Sequence, residues 1–510
     1  MHFPSAAGAD PIEAAVTLAT RLRQNARAAD AVTVLEQARD AHPDEVTLWN
    51  HLGLALRAAC RPEESIAAFR HAARLEPDNI WAETNMAFSL LREPGDAAEA
   101  TFAGLGRASD PAEIPLGMFC DRFPHTYGFL IQQYATYLEH FPGSMAYSFG
   151  RRVMEPYGPG QFDAALAGFS ASHGELSRRV LPLVPDLGGP PGEAGLVRLT
   201  TRNGRFRKPK LALTVFAMNA DLFRPLFETL GIGFCCTLNP GGGFRLDDPY
   251  SDDRLRRVFA SPAFRHAIVT YPLTRDYVIE RFQVPSDRIT LIPGTIVMER
   301  FLAAHATPKR RYPADKPTLD ICFAGLRYSP TGADKGYDRF ILAATRLARR
   351  FPHLRVHVIG NFTAETFPIG ELAGRITFHG QRGQAWMAAF YGGMDAIVSP
   401  NVAHQLAKGA FDGFPVTSCI EAGMCGVALF ATDPMGLNAW LENDRHFVAI
   451  PDDEAGIAAR MEPWLAAPER LYRLAAEGQR RFVEIWGEEA QMTPRLALIA
   501  DLLAREENRP

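Results

Sequence analysis

Two carboxylates, Asp412 and Glu421, bracket the stretch Asp412-Gly-Phe-Pro-Val-Thr-Ser-Cys-Ile-Glu421, and Ala422-Gly-Met-Cys-Gly426 with the apolar run Val427 to Phe430 follows at once. Gly413 and Pro415 mark a turn, and Val416 to Met424 reads as a short helix leading into a buried strand. A carboxylate can accept two hydrogen bonds from a vicinal diol. Backbone N–H groups left unpaired at a helix start attract an anion. The pattern suits a grip on a phosphate-bearing ligand.

Positioning such groups requires a scaffold, and 510 residues are enough for two to four domains of about 100–200 residues each. A net charge of −4 argues against a nucleic-acid partner, which would demand concentrated Lys and Arg. Met1 to Asp10 lacks the basic-then-apolar order of a secretory signal, and no window reaches about 18 consecutive apolar residues, so a cytoplasmic protein is expected. The seven cysteines (60, 120, 235, 236, 322, 419 and 425) include no C-x-x-C pair and read as buried reduced thiols.

The first hundred residues repeat. Ala31, Leu35, Ala38 and Pro43 recur 34 residues later as Ser65, Phe69, Ala72 and Pro77, and Leu18 recurs as Leu52, beside Gly53 and three residues after Trp49. That is the tetratricopeptide pattern: small residues let paired helices approach, and prolines end each unit. A third, degenerate copy runs from Trp81 through Met86, Leu90 and Phe102. Such arrays usually hold a peptide or partner protein, although this one would serve equally by packing on the adjoining domain.

Between Asp110 and Pro209 the pattern predicts helices at Gly128 to Tyr137 and Phe162 to Val180, then a Pro/Gly-rich connection at Asp186 to Gly195. Strands are predicted at Leu211 to Phe216, Gly233 to Leu238, His266 to Thr270 and Ile289 to Ile292. A second series comes at Leu319 to Phe323, Leu354 to Ile359, Arg375 to Phe378, Asp395 to Val398, Val427 to Phe430 and Phe447 to Ile450, with helices such as Asp338 to Arg350 and Gln384 to Gly392 between them. Alternation of this kind gives parallel sheets in α/β domains, and two in tandem, joined near Pro293 to Arg300, enclose a cleft at their strands' carboxyl ends. The expected division is a repeat region at 1–110, a first Rossmann-like domain with a helical insertion at 111–300, a second at 301–490, and a C-terminal helix at 491–510 that crosses back to the first.

Gly325-Leu-Arg327 and Lys335-Gly-Tyr-Asp338 precede the carboxylate stretch in the second series. With Asp412-Gly413-Phe414-Pro415, Glu421-Ala422 and Cys425-Gly426, these residues resemble glycosyltransferase family 4 of the GT-B fold, from about Leu211 to Leu503. The chain departs from the family's spacing: its first acid is Asp, and eight residues rather than seven separate it from Glu421. The resemblance implies that Gly325, Arg327 and Lys335 hold the donor's diphosphate, Asp412 with Gly413, Phe414 and Pro415 meets the sugar, and Glu421 meets the ribose. Two cations near one strand end suit a diphosphate leaving group, whose negative charge grows as the bond breaks. Arg375-Ile-Thr-Phe-His-Gly380 is then the strand and turn where the nucleobase lies, near Gly380 to Arg382, and Asp433-Pro-Met-Gly436 approaches the sugar.

In the first domain, the run Thr237-Leu-Asn239-Pro-Gly241-Gly242-Gly243-Phe244 comes after a predicted strand and reads either as an oxyanion or sugar loop or as a ligand-free tight turn. Many family members carry His where this chain has Asn239. Arg275, in Tyr271-Pro-Leu-Thr-Arg-Asp276-Tyr277, reads as a phosphate or acceptor contact or as a surface helix charge. Asp247 and Asp248 lack a metal-ligand constellation.

The resemblance implies a retaining transferase that needs no bound metal or cofactor, with the nucleotide-diphosphate sugar as co-substrate and a glycan, lipid-linked or protein hydroxyl as acceptor. Bacterial surface-polysaccharide assembly is the usual setting. Two further readings stand beside it: a protein O-glycosyltransferase whose repeats hold a polypeptide, and a scaffold whose transferase fold is inactive. Basic patches at Lys309-Arg-Arg311 and Arg202 to Lys210 suggest at most peripheral membrane contact.

Overall fold

Four amphipathic helices open the chain in the computed structural model, which describes residues 10–24, 27–59, 61–76, 81–82, 85–86, 89, 96–107, 109–124, 128–148, 159–187, 197–201 and 204–509. They are α1 (Pro11–Gln24), α2 (Ala28–Ala41), α3 (Val46–Ala58) and α4 (Pro62–Leu75). Their shared core is Ala19, Ala31, Leu35, Leu48, Leu52, Ala55 and Ala68. The Glu45 carboxylate caps α3 by accepting from Thr47 N–H at 3.2 Å, and the Ser65 hydroxyl ties α4 to α3 through the Gly53 carbonyl at 2.8 Å. Leu90 and Cys60 lie outside the described residues, as does 188–195 of the Pro/Gly-rich connection. The other six cysteines are free thiols, buried except for the half-buried Cys425.

Phe102 does not join the repeat core. The helix Asp96–Arg107 carries Phe102 and Leu105 into the core of the next unit, among Phe119, Phe223 and Phe227, because its apolar face meets a sheet-covering helix there.

The first lobe is built on an eight-stranded sheet ordered β4-β3-β2-β1-β5-β6-β7-β8, parallel except for the β3–β4 pair. Its strands are β1 (Asp110–Cys120), β2 (Met145–Ser148), β3 (Val180–Leu187), β4 (Val197–Thr201), β5 (Arg207–Val215), β6 (Gly233–Leu238), β7 (Phe264–Val269) and β8 (Ile289–Leu291). The first four were not predicted. β1 looks like a loop, with Pro111, Pro115 and Gly117, yet its pairing to β2 begins only at Gly117, so the missing Pro115 N–H breaks no bond on that side. β6 is buried along its whole length, as expected for a parallel strand covered on both faces.

The second lobe is a six-stranded, wholly parallel sheet ordered β11-β10-β9-β12-β13-β14. It comprises β9 (Leu319–Ala324), β10 (Leu354–Ile359), β11 (Ile376–Phe378), β12 (Ala396–Ser399), β13 (Ala428–Ala431) and β14 (Val448–Ala449). Strand order reverses between β9 and β12, and loops diverging at such a point leave a crevice at the carboxyl ends.

The chain crosses between lobes twice, after β8 and at Trp486–Glu488, and the crossings touch: Val297 N–H reaches the Trp486 carbonyl at 3.4 Å. The last helix, Glu488–Glu507, lies on the first lobe, where Glu506 pairs with Arg265 at 2.5 Å and Glu507 with Lys210 at 2.7 Å. Met492, Ile499 and Leu502 share a core with Leu211 and Leu213 of β5. In the two basic patches Lys210 is held by Glu507 and Lys309 is half-buried with its ammonium on the Tyr391 carbonyl at 3.2 Å, whereas Arg205 and Arg310 are exposed and Arg202 lies outside the described residues.

Candidate functional site

The residue order at the end of β9 builds one half of the site. Gly325 leaves the strand without a side chain, and Lys335 passes beside it, its Cγ 3.7 Å from where a Cβ on Gly325 would stand. Gly336 then starts the helix Tyr337–Arg350 with φ +65°, and any Cβ there would lie 1.8 Å from the Pro400 carbonyl oxygen. Glycine is the residue that meets both demands, and this packs the Lys335 turn against the end of β12. The loop before it is tied by Asp334, 3% exposed, which accepts from Ser329 N–H at 3.0 Å.

Lys335 and Asp412 meet. The ammonium lies 2.7 and 2.6 Å from the two Asp412 oxygens, with the Tyr328 ring centroid 5.4 Å away. The Asp412 side chain is 33% exposed and that of Lys335 is 13%, so the pair sits at the crevice wall. Arg327 takes no part. Its guanidinium donates to the Pro330 carbonyl at 2.6 Å, and its backbone N–H is held by Asn361 at 2.6 Å.

Glu421 sits one turn into the helix Thr417–Met424, 7% exposed. Its partner is an amide: Gln384 Nε2 donates to Oε1 at 3.1 Å, and no cation lies within ion-pair distance among the described residues. Burial therefore pushes the Glu421 carboxyl up to about 7, opposed by the Gln384 hydrogen bond. Ser418, on the preceding turn, reaches back to the Ala324 carbonyl at 3.2 Å, which anchors this helix at the end of β9 beside Gly325. Lys335, Asp412, Ser418, Gln384 and Glu421 thus ring the carboxyl ends of β9 and β12.

A cavity behind the pair is lined by Ser399, Asp412, Gly413, Phe414, Pro415 and Asp433. Asp433 is spent on structure, accepting from Leu437 N–H at 2.8 Å and Asn438 N–H at 2.9 Å. On the far side of Glu421, Arg382 lies over the Trp386 ring at 5.1 Å, and exposed Gly380 adjoins it.

The first lobe closes the site through residues that motif reading passed over. The Tyr271 hydroxyl accepts from Phe414 N–H at 3.0 Å, and a Cβ on Gly413 would lie 2.4 Å from that oxygen. Gly128, at the start of the helix Gly128–His140, faces Gln384, whose Nε2 would stand 2.9 Å from a Cβ there. Leu246 N–H bonds the Gly409 carbonyl at 3.0 Å, and the Phe244 and Phe411 rings meet edge-on at 5.9 Å. The available signal for Tyr271 and Gln384 was position alone, each at the mouth of a strand-to-helix loop.

The Gly241-Gly242-Gly243 run has φ of +74°, +54° and +90° and is a tight turn. Its carbonyls serve the lobe itself, Gly242 accepting from Met218 N–H at 3.0 Å and Gly243 from Arg254 Nη1 at 2.5 Å. Asn239 beside it is 7% exposed. Arg275 lies outside the ring, an exposed helix charge paired with Asp276 at 2.8 Å. Asp248 caps the helix Pro249–Ala260 through Ser251 N–H at 2.9 Å, and no metal-ligand cluster occurs among the described residues.

Comparison with known proteins places these features. Residues 338–491 match the glycosyl transferase-like family model, and residues 16–80 match a tetratricopeptide repeat model. The chain is 39% identical to protein FlbA of Caulobacter vibrioides over 82 residues, 16% of this chain and 14% of that protein, so it matches only about a seventh of this curated relative's length. Among solved structures it is similar to HepE of Anabaena in complex with UDP, with a TM-score of 0.54 and 14% identity over 76% of this chain and 100% of that one. It is also similar to sucrose-phosphate synthase of Thermosynechococcus elongatus, with a TM-score of 0.52 and 15% identity over 77% and 100%. The chain therefore joins a tetratricopeptide segment to a GT-B fold whose second lobe is a glycosyl transferase-like domain.

Proposed function

We propose that this protein transfers a sugar from a nucleotide-diphosphate donor to an acceptor hydroxyl, with retention of configuration and without a bound metal. The observation that carries the reading is the convergence of Lys335, Asp412 and Glu421 at the β9/β12 crevice within a transferase-like lobe. UDP in the HepE structure supports a nucleotide donor.

Both oxygens of the Asp412 carboxylate accept from the Lys335 ammonium, the group that would hold a diphosphate. Donor binding exchanges one anion for another. The ammonium then stabilises the charge that grows on the departing diphosphate, while Asp412, released, orients sugar hydroxyls. Glu421 takes the ribose diol, and Gln384 fixes the rotamer that it uses. The leaving phosphate itself serves as the base for the acceptor proton. The fitting setting is cytoplasmic assembly of a surface glycan, and no described helix is long and apolar enough to cross a membrane.

A second reading is transfer to a polypeptide held by the repeats, whose model residues 16–80 match. Incubating the protein with UDP- and GDP-sugars and either peptide or lipid-linked acceptors, with mass detection, tests both readings. Turnover with neither acceptor and no donor hydrolysis would leave the inactive-scaffold reading standing.

A further inference from the structure

The first lobe has a switch point of its own. β1 and β5 lie side by side in the middle of its sheet, and the chain leaves them toward opposite edges, so the loops after them diverge and open a crevice at their carboxyl ends. Two phenylalanines stand there. Phe216 is the first residue beyond β5, and Phe129 is the second residue of the helix Gly128–His140, which follows β1. Their rings meet edge to face, with centroids 6.2 Å apart and planes at 80°, and both residues are half-buried.

Phe216 keeps its place against the preference of its backbone. With φ +78° and ψ +143° it occupies a region that only glycine enters freely. Its N–H is tied to the Thr237 carbonyl at 2.8 Å, and its carbonyl accepts from Ala220 N–H at 3.2 Å. The ring lies directly on Gly242, where a Cβ would come within 2.2 Å of Phe216 Cδ1. The middle glycine of the run is therefore bare because this ring covers it. A glycine at 216 would make the same turn without strain, so what this position adds to the turn is the ring.

Two contacts between the lobes bracket the aromatic corner. On one side Gly128, next to Phe129, faces Gln384, which holds Glu421. On the other, Gly242 is two residues from Phe244, whose ring meets that of Phe411, next to Asp412, at 5.9 Å. We propose that Phe216 and Phe129 form the acceptor subsite and that the acceptor is a sugar ring, seated with its apolar C–H face on the corner. The inference rests on the transferase reading and names the acceptor class for it. An aromatic face carries negative charge density, which attracts the polarised C–H bonds of a pyranose, while the hydroxyls at the ring's edge stay free to meet the donor sugar. The loop beyond Gly242 turns polar at Arg245 and Asp247, which suits a hydroxyl-bearing ring better than a polyisoprenyl chain.

The test is saturation-transfer NMR on the full chain with UDP present, irradiating aromatic protons, against the methyl α- and β-glycosides of glucose, galactose, mannose and N-acetylglucosamine. At least one glycoside is expected to take up saturation, most strongly on the C–H protons of one ring face. Phe216→Leu should bind it at least about fivefold more weakly, the worth of an aromatic contact, and Phe129→Leu should weaken it too. Leucine keeps the apolar bulk, so a packing role alone would leave sugar binding unmoved, and Phe216→Tyr, which keeps the ring face, should bind as the wild type does. UDP affinity by calorimetry should be the same in all of these variants, which separates a lost subsite from a lost fold. No saturation on any glycoside while UDP binds, or unchanged sugar binding in Phe216→Leu, would overturn the inference and leave the donor site standing. Failure of the wild type to bind UDP would refute the transferase reading and this inference with it. Should Phe216→Leu not fold, the wild-type pattern decides: saturation spread evenly over both ring faces would contradict the stacked acceptor.

Discussion

Glu421 gains its peculiarity from where the helix Thr417–Met424 buries it: a carboxyl with an amide partner and, among the described residues, no cation at ion-pair distance, raised from 4.5 to about 7. The folded protein binds this proton more tightly than the unfolded chain does, so stability is full below pH 4.5 and falls as pH rises toward about 7. Glu421→Gln mimics the protonated form. It is expected to match the wild type at pH 4.5 and to exceed it by roughly 3 kcal/mol at pH 8, as read from urea midpoints. A ribose diol needs the carboxylate, so UDP affinity should climb as pH passes 7 in the wild type and stay flat in Glu421→Gln. The Lys335–Asp412 pair makes an opposite kind of prediction. Asp412→Asn releases the ammonium, so UDP should bind several-fold more tightly while sugar transfer falls, whereas Lys335→Ala should weaken UDP by about 1.5–3 kcal/mol, the value of a charged hydrogen bond. Titration and turnover of the two variants check this, and weaker UDP binding by Asp412→Asn would refute the idea that Asp412 screens the cation. Of these contacts, the residue types were readable from motif order. Arg327 was expected beside Lys335 but turns to its own loop, because a flexible side chain on an exposed turn takes the nearest carbonyl.

The element that matters most is the loop between β12 and the helix Thr417–Met424, which carries Asp412 and is clamped by the first lobe. Tyr271→Phe deletes the acceptor for Phe414 N–H and should cost about 1–3 kcal/mol. Gly413→Ala drives a methyl against a hydroxyl that is itself buried, at a cost of about 1–3 kcal/mol. If the clash is with that oxygen, Gly413→Ala should cost less in the Tyr271→Phe background, and thermal melts of the double-mutant cycle measure the coupling. Strict additivity would mean that the loop does not rest on Tyr271. Sequence periodicity located the long parallel strands closely: β6 and β10 lie on the expected residues, and β9 and β12 within one. It missed β1 to β3, where prolines and short runs hide strands that tertiary pairing imposes, and β4 beside the Pro/Gly-rich connection. Tyr271 was invisible for another reason: it acts across the lobes, and no local pattern records a partner 143 residues away, while Gln384 meets Glu421 from a separate strand-to-helix loop of the same lobe.

At the scale of the whole molecule, the terminal helix Glu488–Glu507 belongs to the first lobe in space although it comes after the second in sequence. Truncation after Gly487 should uncover the Leu211 and Leu213 face, lower soluble yield and raise dye binding to exposed apolar surface, whereas removal of the repeats before Asp96 should leave UDP affinity unchanged. Both lobes wall one crevice: the second supplies Lys335, Asp412 and Glu421, and the first holds Asp412's loop and faces Gln384. A single nucleotide spanning that crevice is the central claim. Its most direct test is calorimetric titration of the full-length protein with UDP and GDP, alongside Lys335→Ala and Glu421→Ala. The expected result is one-to-one binding by the wild type that weakens at least about tenfold, some 1.4 kcal/mol, in each variant. A wild-type protein that binds neither nucleotide, or variants that bind as the wild type does, would contradict it.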